Sequence, residues 1–399
     1  MPIKKINLNI FMGMFLSIFL ISFYIRKPIL KEISSANIIY LFLLIILYMI
    51  NIRYVDMKKF IYVTIIFCYI FIQDYIINGN SIQTIVCNLA MYIIPLYIFS
   101  LDYDVIDIKG TLRALIKILN IFTSIIFIIG LIDPVINFSI MKFMGQHIVT
   151  GLESNIISNT SIVLYRYTSF LGHSLFTKEI FIYFYLLNDI YERKFGEQLL
   201  NKSVVILVSL VGVLLTGSKT GTILMIVLLL ISQINNVKRL VTMLIILLIT
   251  FECGFFDVVL NRFNKGDLTT GRDVAWEKVV NSGFEIDRLM YGHGELVSNK
   301  LGEVIEEKYV TAALEYPVVI LLLKYGMLCT GLILLLIYVY PIVYFVQKKN
   351  FYILMLFIIK LIDINTYNGL IYKADNMILF SIFTYLIMGV CSYGQRKEE

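Results

Sequence analysis

The residues with the clearest chemical potential are basic side chains at the ends of apolar runs. Arg166 begins the segment Arg-Tyr-Thr-Ser-Phe-Leu-Gly-His, directly before one such run, and Lys219 lies in the short break between two others. Arg272 and Arg288 lie further along, in a long polar stretch. Charge at the boundary of an apolar layer is costly and is usually kept for a reason, so several cations on one side predict an anion-binding site. The planar fork of arginine suits phosphate oxygens especially well.

Two residues near these cations are candidates for accepting a proton. His293 lies within Tyr-Gly-His-Gly, and Glu315 stands at the head of a later apolar run. Gly283 follows Arg272 by about three helical turns and would leave room for a bulky ligand beside the cation. The alternative for each cation is a headgroup anchor or an ion-pair partner, and for each histidine a structural role. The stretch 254–315 is acidic overall, so a site there depends on specific arginines.

The elements that position these residues are apolar helices. Hydrophobic residues make up 59% of the 399 residues and charged residues only 16%, against about 25% in soluble domains. The apolar runs are continuous, and backbone groups in hydrocarbon must be satisfied internally, which favours helices over a barrel. We therefore predict an all-α integral membrane protein, a single polytopic domain over 1–399 with about twelve transmembrane helices. The predicted spans are 6–25, 36–52, 60–77, 82–101, 112–132, 175–191, 203–217, 221–234, 239–253, 316–346, 351–363 and 376–393.

The distribution of basic residues predicts the orientation of the chain. With both termini in the cytoplasm, the short inside loops hold more basic residues than the short outside loops, among them Arg193 and Arg239. The loop that contains Arg26 is the exception, because its charges then lie outside. This orientation makes 133–174 and 254–315 large extracytoplasmic loops, and loops of this length are usually functional.

The second of these loops is predicted to contain a short amphipathic helix. Thr270 and Asp273 have the spacing of a helix cap with its reciprocal partner. The helix then runs from Arg272 to Asn281 and is stopped by Ser-Gly. An apolar stripe that begins at Trp276 suits a helix lying on the bundle or in the headgroup layer.

Several other classes of chemistry are not indicated. The five cysteines are scattered, and the sequence has no dinucleotide fingerprint and no cysteine-histidine metal cluster, so we expect no metal and no cofactor. The turn 216–221, Thr-Gly-Ser-Lys-Thr-Gly, resembles a phosphate loop only superficially, since its spacing is wrong for one. A net charge of +6 suits anionic lipid headgroups, and the chain lacks the basic soluble face that nucleic-acid binding needs.

Four motifs occur in a recognisable order along residues 166–331. An arginine segment with glycine and histidine opens a span at 166–173, and the turn 216–221 links two spans. A large outer loop carries Gly-Arg, a tryptophan and Gly-x-Gly, and a following span carries Gly326 and Gly331. In order, spacing and sidedness these motifs resemble the O-antigen ligase and polymerase superfamily, most closely its O-antigen or capsular polysaccharide repeat-unit polymerases.

Two departures from the family pattern refine the resemblance. Lys219 stands where the family commonly has arginine, which keeps the charge but loses the bidentate fork. Ligases typically carry a histidine about eleven residues before the first glycine of the late span, and here that position is Glu315. The resemblance is therefore closer to the polymerases than to the ligases.

The resemblance implies a membrane-embedded glycosyltransferase of the bacterial cytoplasmic membrane. Such a polymerase moves a growing glycan from undecaprenyl diphosphate onto a new lipid-linked repeat unit at the outer face. It needs no cofactor, because the activated leaving group comes with the substrate. The implied partners are the undecaprenyl-diphosphate-linked oligosaccharide, membrane lipids, a flippase and a chain-length regulator, with no nucleic acid.

The resemblance also suggests roles for individual residues. Arg166 and Arg272 would clamp the diphosphate, with Lys219 and Arg288 as secondary contacts. Glu315 is the first candidate for the general base, and His293 is the second. The supporting residues would be His173, Trp276 and Gly283.

Two other functions remain open at this point. One is an O-antigen-ligase-type transfer of the glycan to a different acceptor. The other is a lipid-linked oligosaccharide flippase or another transporter, for which charges inside the membrane are typical. Lys360 and Asp363 in the predicted eleventh span are the feature that best supports transport.

Overall fold

The structure, a computed structural model, describes most of the chain. It covers residues 2–30, 34, 36–103, 106–148, 166–233, 237–265, 272–281, 290–294, 297, 301–302, 316–367, 369–370 and 374–393, of which 2–7, 265, 272, 273 and 275 are described by backbone alone. The helices are α1 (Pro2–Leu20), α2 (Phe23–Leu30), α3 (Ile38–Asn51), α4 (Met57–Ile72), α5 (Ile82–Tyr92), α6 (Ile108–Ile132), α7 (Ser139–His147), α8 (Ser174–Phe195), α9 (Lys202–Leu215), α10 (Lys219–Gln233), α11 (Val237–Glu252), α12 (Asp257–Lys265), α13 (Arg272–Asn281), α14 (Pro317–Leu334), α15 (Tyr340–Gln347), α16 (Phe351–Asn365) and α17 (Ala374–Ser392). In these residues the only extended pairing is one bridge between Val55 and Leu101.

Several helices have the length and composition of membrane spans. Four stretches qualify, namely α4 with its π-helical end (Met57–Ile77), α6, α14 through α15 (Pro317–Gln347), and α17. Three bent pairs raise the number to seven if each pair is one span: α1 with α2, α5 with the 3-10 helix Ile94–Ser100, and α11 with α12. The all-α prediction is confirmed for the described residues, with four to seven candidate membrane-crossing helices.

The chain divides into two compact units, each with a helix that is buried over most of its length. Unit 1 comprises Met1–Met14, Ser35–Ile106 and Asp267–Glu399, and unit 2 comprises Phe15–Ser34 and Asp107–Gly266. In unit 1, every residue of α17 from Ala374 to Cys391 is buried, and the helix packs on α5 and α15. In unit 2, α8 is buried from Phe176 to Tyr191 and packs on α6 and α9. The polar side chains of α8 therefore have to be satisfied by protein groups.

The predicted first span, 6–25, is not one continuous helix in the structure. The chain bends by 78° between α1 and α2. Arg26 is buried at 2% exposure, and its Nε donates to the Ser34 carbonyl at 3.1 Å. The backbone N–H of Arg26 donates to the Ser22 carbonyl at 3.0 Å. Arg26 therefore stabilises the chain around the bend. Because its charge has this structural role, its position outside is only weak evidence against the predicted orientation.

The predicted span 316–346 is also interrupted, at a glycine. Gly326 leaves the helical conformation, with φ 74° and ψ 177°, in the middle of α14. The segment Gly292–Gly294 lies against this break, where the N–H of His293 donates to the Leu323 carbonyl at 2.7 Å and that of Gly294 to the Lys324 carbonyl at 2.8 Å. The loop thus satisfies carbonyls that an interrupted helix leaves without helical partners.

Close backbone contact at this break requires glycine. A Cβ on Gly326 would lie 2.1 Å from the Met290 carbonyl oxygen. We expect Gly326→Ala to destabilise the protein by roughly 1–3 kcal/mol, because the backbone must shift and the positive φ is unfavourable. The thermal unfolding of detergent-purified protein would show this as a lower Tm.

Gly331 in the same helix provides the matched control. A Cβ there meets nothing within 4 Å, so Gly331→Ala should leave the Tm unchanged or raise it slightly. Equal Tm values for the two variants would contradict the role assigned to Gly326.

Candidate functional site

The turn between α9 and α10 carries Lys219 and is tightly built. Gly217 takes a positive φ of 60°, and the Ser218 hydroxyl accepts the N–H of Gly221 at 3.1 Å, capping α10. The segment that begins at Arg166 runs beside this turn, since the Tyr167 N–H donates to the Leu215 carbonyl at 3.0 Å. The structure therefore brings the Arg166 segment and the Lys219 turn together, as two motifs of the sequence had suggested.

The segment 166–173 is held in place by its own polar groups. The hydroxyls of Ser169 and Thr177 lie 2.8 Å apart, and the Tyr167 hydroxyl donates to the Ile126 carbonyl of α6 at 2.7 Å. His173 caps α8, with its Nδ1 accepting the Leu175 N–H at 3.3 Å. His173 thus has a structural role at the start of α8.

Lys178 in α8 is a residue that the sequence reasoning missed. It is fully buried, and its aliphatic stem lies over Gly221, where a Cβ would come within 2.4 Å of Lys178 Cδ. Gly221 is therefore required for Lys178 to reach the turn. The signal was available in the sequence, because Lys178 and Glu179 are adjacent charges in an apolar run, and charges in such runs are rarely incidental.

Two further cations contact the same turn. The Lys219 ammonium lies 5.3 Å from the centre of the Phe263 ring on α12, and the Arg262 guanidinium donates to the Gly217 carbonyl. Lys178, Lys219 and Arg262 therefore lie at the start of α10, and Arg166 lies in the segment that pairs with the end of α9. We call these four residues the cation cluster. A helix start with backbone N–H groups and several cations is suited to hold a phosphate-type anion.

The cations at the opposite end of α8 are engaged in ion pairs. Asp189 pairs with Lys202 and with Arg193, at 3.1 Å for the latter. Glu192 pairs with Arg239 at 2.6 Å and with Lys202 at 3.3 Å. These carboxylates neutralise their cations, so this end of α8 is a structural network rather than an anion site.

A second ion pair lies at the surface near that end. Lys109 Nζ is 2.6 Å from Glu197 Oε1, and the Tyr191 hydroxyl donates to Glu197 Oε2 at 3.0 Å. The hydrogen bond from Lys109, together with that from Tyr191, holds the pKa of the Glu197 carboxyl below its usual range. Because Glu197 is exposed, we expect this pair to contribute little to stability.

In unit 1, His293 belongs to a different polar cluster. It is buried at 6% exposure in the segment that pairs with the broken helix α14. Lys324, two residues before the break, is also buried, and its ammonium lies 3.4 Å from the Tyr92 hydroxyl and 5.4 Å from the centre of the same ring. The Gln73 side-chain amide donates to the Lys324 carbonyl at 3.2 Å.

A buried carboxylate lies near this broken helix. Asp74 is fully buried in the π-helical end of α4. The amide nitrogens of Asn78 and Asn88 lie 3.5 and 3.4 Å from its two carboxylate oxygens. A Cβ on Gly294 would come within 2.4 Å of the Asn78 amide nitrogen, so Gly294 lies directly against this group. None of these polar residues except His293 and its glycines was singled out from the sequence.

The charges that had suggested transport pair with each other. Lys360 Nζ lies 3.0 Å from Asp363 Oδ2, and both side chains are inaccessible. The next acidic residue along the chain, Asp375, also has a partner, because the Asn37 side-chain amide donates to its carboxylate at 3.0 Å. The pair in α16 is thus locally neutral.

The remaining sequence candidates lie on or beyond α13. This helix has the predicted bounds, Arg272–Asn281, while the Arg272 side chain lies outside the described part of the chain. Of the apolar stripe, Val279 is buried, whereas Trp276 is 39% and Val280 59% exposed. Gly283, Arg288 and Glu315 lie outside the described residues.

Unit 1 also contains an apolar cavity of about 580 Å³. Its lining comes from α3, α4 and the 3-10 helix after α5, and includes Leu44, Ile45, Phe67 and Ile94. Among the residues that line this cavity, only Tyr48 and Tyr97 have side chains that can form hydrogen bonds. The cavity is therefore suited to a hydrocarbon chain.

The ion network of α8 leads to a stability prediction. Lys202→Met removes one partner from the buried Asp189, and we expect a loss of about 3 kcal/mol, because a buried charge is left short of a partner. Lys109→Met is the control, since its partner Glu197 is exposed and the change should be small. Thermal unfolding in detergent measures both, and equal losses would contradict the assignment of a buried network.

Comparison with known proteins does not identify this chain. It matches no protein-family model, no curated protein and no solved structure. Its function is therefore inferred from the chemistry of its own residues.

Proposed function

We propose that this chain is a membrane-embedded glycosyltransferase, a polymerase that transfers a growing glycan from undecaprenyl diphosphate to a new lipid-linked repeat unit. The observation that carries the proposal is the cation cluster of unit 2, in which three basic residues lie at the start of α10 and Arg166 lies in the adjacent segment. Transfer from a lipid diphosphate develops negative charge on the leaving group. Preorganised cations in a water-poor site stabilise such charge strongly.

In this proposal the diphosphate clamp is larger than the sequence suggested. Arg166 and Lys219 keep their roles, and Lys178 and Arg262 join them. Lys178 is the most effective of the four, because its burial places the charge where the effective dielectric constant is low. Arg272 and Arg288 remain proposed contacts of the same substrate.

The proton acceptor of the reaction remains assigned to Glu315 or His293. The attacking hydroxyl of the acceptor sugar loses its proton to this base, and the diphosphate leaves with the electron pair of the broken bond. Burial of His293 supports a role for it inside a shielded site. No metal or nucleotide takes part, since the substrate carries its own leaving group.

We further propose a chain of about twelve spans in the bacterial cytoplasmic membrane, with both termini inside. The distribution of charge along α8 supports this orientation. Its carboxyl end carries the ion network of the predicted cytoplasmic loops, and its amino end lies at the cation cluster. The cation cluster then faces the outer side, where the lipid-linked substrate is used.

The apolar cavity of unit 1 supports the use of a lipid substrate. Its volume of about 580 Å³ and its aliphatic and aromatic lining would accept part of a polyprenyl chain. Two lipid-linked substrates need lateral access of this kind.

Transport is the second candidate function, and the break in α14 favours it. Discontinuous helices with buried charges are typical of transporter binding sites, and α14 is interrupted at Gly326 beside the buried Lys324. A ligase-type transfer to another acceptor would use the same cation cluster and differ only in the acceptor.

Glycan length in cells tests the proposed polymerase. A strain lacking the chain should carry single lipid-linked repeat units at the outer face, and wild-type protein should restore a ladder of lengths. We expect Arg166→Ala and Lys178→Met to reduce polymer at least tenfold, because each removes a cation from the diphosphate, and each 1.4 kcal/mol is a factor of about ten in rate. Gel separation of the surface glycan measures the ladder.

The control for these variants is Lys194→Met, which removes an exposed lysine near the other end of α8 and should leave the ladder intact. All variants should be present in the membrane in equal amounts. Repeat units retained on the cytoplasmic leaflet of the deletion strain would instead indicate a flippase.

Fusions of alkaline phosphatase test the proposed topology. The enzyme should be inactive when fused after Lys349 and active when fused after His147, because it folds only outside the cytoplasm. A fluorescent protein at the same positions should give the opposite pattern. Activity after Lys349 would contradict the proposed orientation.

A further inference from the structure

Three enclosed polar atoms near Asp74 have no hydrogen-bond partner among the described residues. They are the side-chain oxygens of Gln73 and Asn78 and the side-chain nitrogen of Asn80. All three belong to the π-helical end of α4 and the residues directly after it. Buried polar groups are nearly always satisfied in native proteins, so a group of three within eight positions calls for a polar ligand.

The surroundings of these atoms are fixed by other contacts. Gln73 already uses its amide nitrogen on the Lys324 carbonyl, so its oxygen faces a different direction. The backbone N–H of Asn80 donates to the Asp74 carbonyl at 2.9 Å, which holds the end of the segment over Asp74. Asn88 on α5 approaches the Asp74 carboxylate from the neighbouring helix. We call Gln73, Asp74, Asn78, Asn80 and Asn88 the amide cluster.

Glycine at position 294 belongs to the same arrangement. Gly294 has a positive φ of 69°, and a Cβ there would collide with the Asn78 amide. The Gly-His-Gly segment therefore approaches the amide cluster as closely as a backbone can. This places an element of the outer loop directly against the polar group in α4.

The chemistry of the amide cluster selects among possible ligands. Its free atoms include two acceptors and one donor beside a carboxylate. A metal cation would leave the Asn80 nitrogen unsatisfied, and a phosphate offers the acceptors no donor and is repelled by Asp74. Sugar hydroxyls both donate and accept, and amide and carboxylate side chains satisfy them in both directions.

We infer that the amide cluster is a carbohydrate subsite that binds hydroxyl groups of the acceptor repeat unit. Asp74 and the amide oxygens of Gln73 and Asn78 accept from sugar hydroxyls, and the Asn80 amide donates to one. The inference deepens the proposed function and rests on its claim that the chain acts on lipid-linked glycans.

Binding of the sugar alone tests the subsite. The probe is the repeat-unit oligosaccharide prepared by partial acid hydrolysis of the host's surface polysaccharide, which carries no lipid and no diphosphate. Its affinity for the purified full-length protein is measured by saturation-transfer NMR titration. We expect Asn78→Ala and Asp74→Asn each to weaken binding about tenfold, the effect of losing a hydrogen bond to a buried group.

Matched variants separate this effect from damage to the fold. Gln83→Ala removes an exposed amide from the neighbouring helix α5 and should bind the oligosaccharide as the wild type does. Asn78→Gln keeps both the amide nitrogen that can face Asp74 and the oxygen acceptor, and should bind more strongly than Asn78→Ala. Unchanged affinity in both Asn78→Ala and Asp74→Asn would mean that bound water alone satisfies these atoms, and would overturn the subsite.

The two proposals fail in different ways. Arg166→Ala should lose the glycan ladder but keep the affinity for the oligosaccharide, because the probe has no diphosphate. A lost ladder with binding that is indifferent to the amide cluster overturns the subsite and leaves the polymerase. The opposite outcome is that oligosaccharide binding depends on Asn78 while deletion of the protein leaves glycan length unchanged. That outcome overturns the proposed polymerase function and leaves the subsite.

Discussion

A polar side chain inside an apolar helix bundle has to find its partners within the protein, and both units are arranged around this requirement. Unit 2 places α8 at its centre, and the carboxylates of that helix gather Lys202, Arg193 and Arg239 around them. Unit 1 places α17 at its centre, with the Lys360–Asp363 pair on the preceding helix. In a low-dielectric interior, an unpaired charge would cost far more than these pairs cost to assemble.

Glycines extend the same logic to the backbone. Breaking α14 at Gly326 frees carbonyls that then accept hydrogen bonds from the N–H groups of His293 and Gly294, so the segment 292–294 compensates for the helix interruption. In unit 2, Gly221 makes room for a side chain, because the absence of a Cβ lets Lys178 lie over the turn. Each glycine therefore determines which polar group reaches a given position.

The two units differ in the chemistry they offer. The cation cluster of unit 2 is suited to an anion of phosphate type, whereas the amide cluster of unit 1 presents acceptors, a donor and a carboxylate without excess positive charge. A glycan polymerase needs both kinds of recognition, because its substrates combine a diphosphate with sugars. A transporter of the same substrates would need them as well, and the two functions differ in whether a bond is made.

Composition and the continuity of the apolar runs were enough to predict the all-helical structure found in the described residues, because backbone groups in hydrocarbon must be satisfied internally and the runs do not alternate as barrel strands do. Local signals were equally sufficient for α13, which has the bounds Arg272–Asn281 that the sequence predicted. The bends at Ser22 and Gly326 and the placement of Lys178 and Asp74 were decided by tertiary structure. Those features depend on contacts between carbonyls, amides and glycines that are far apart in the chain. Such contacts cannot be predicted from the local sequence around either residue.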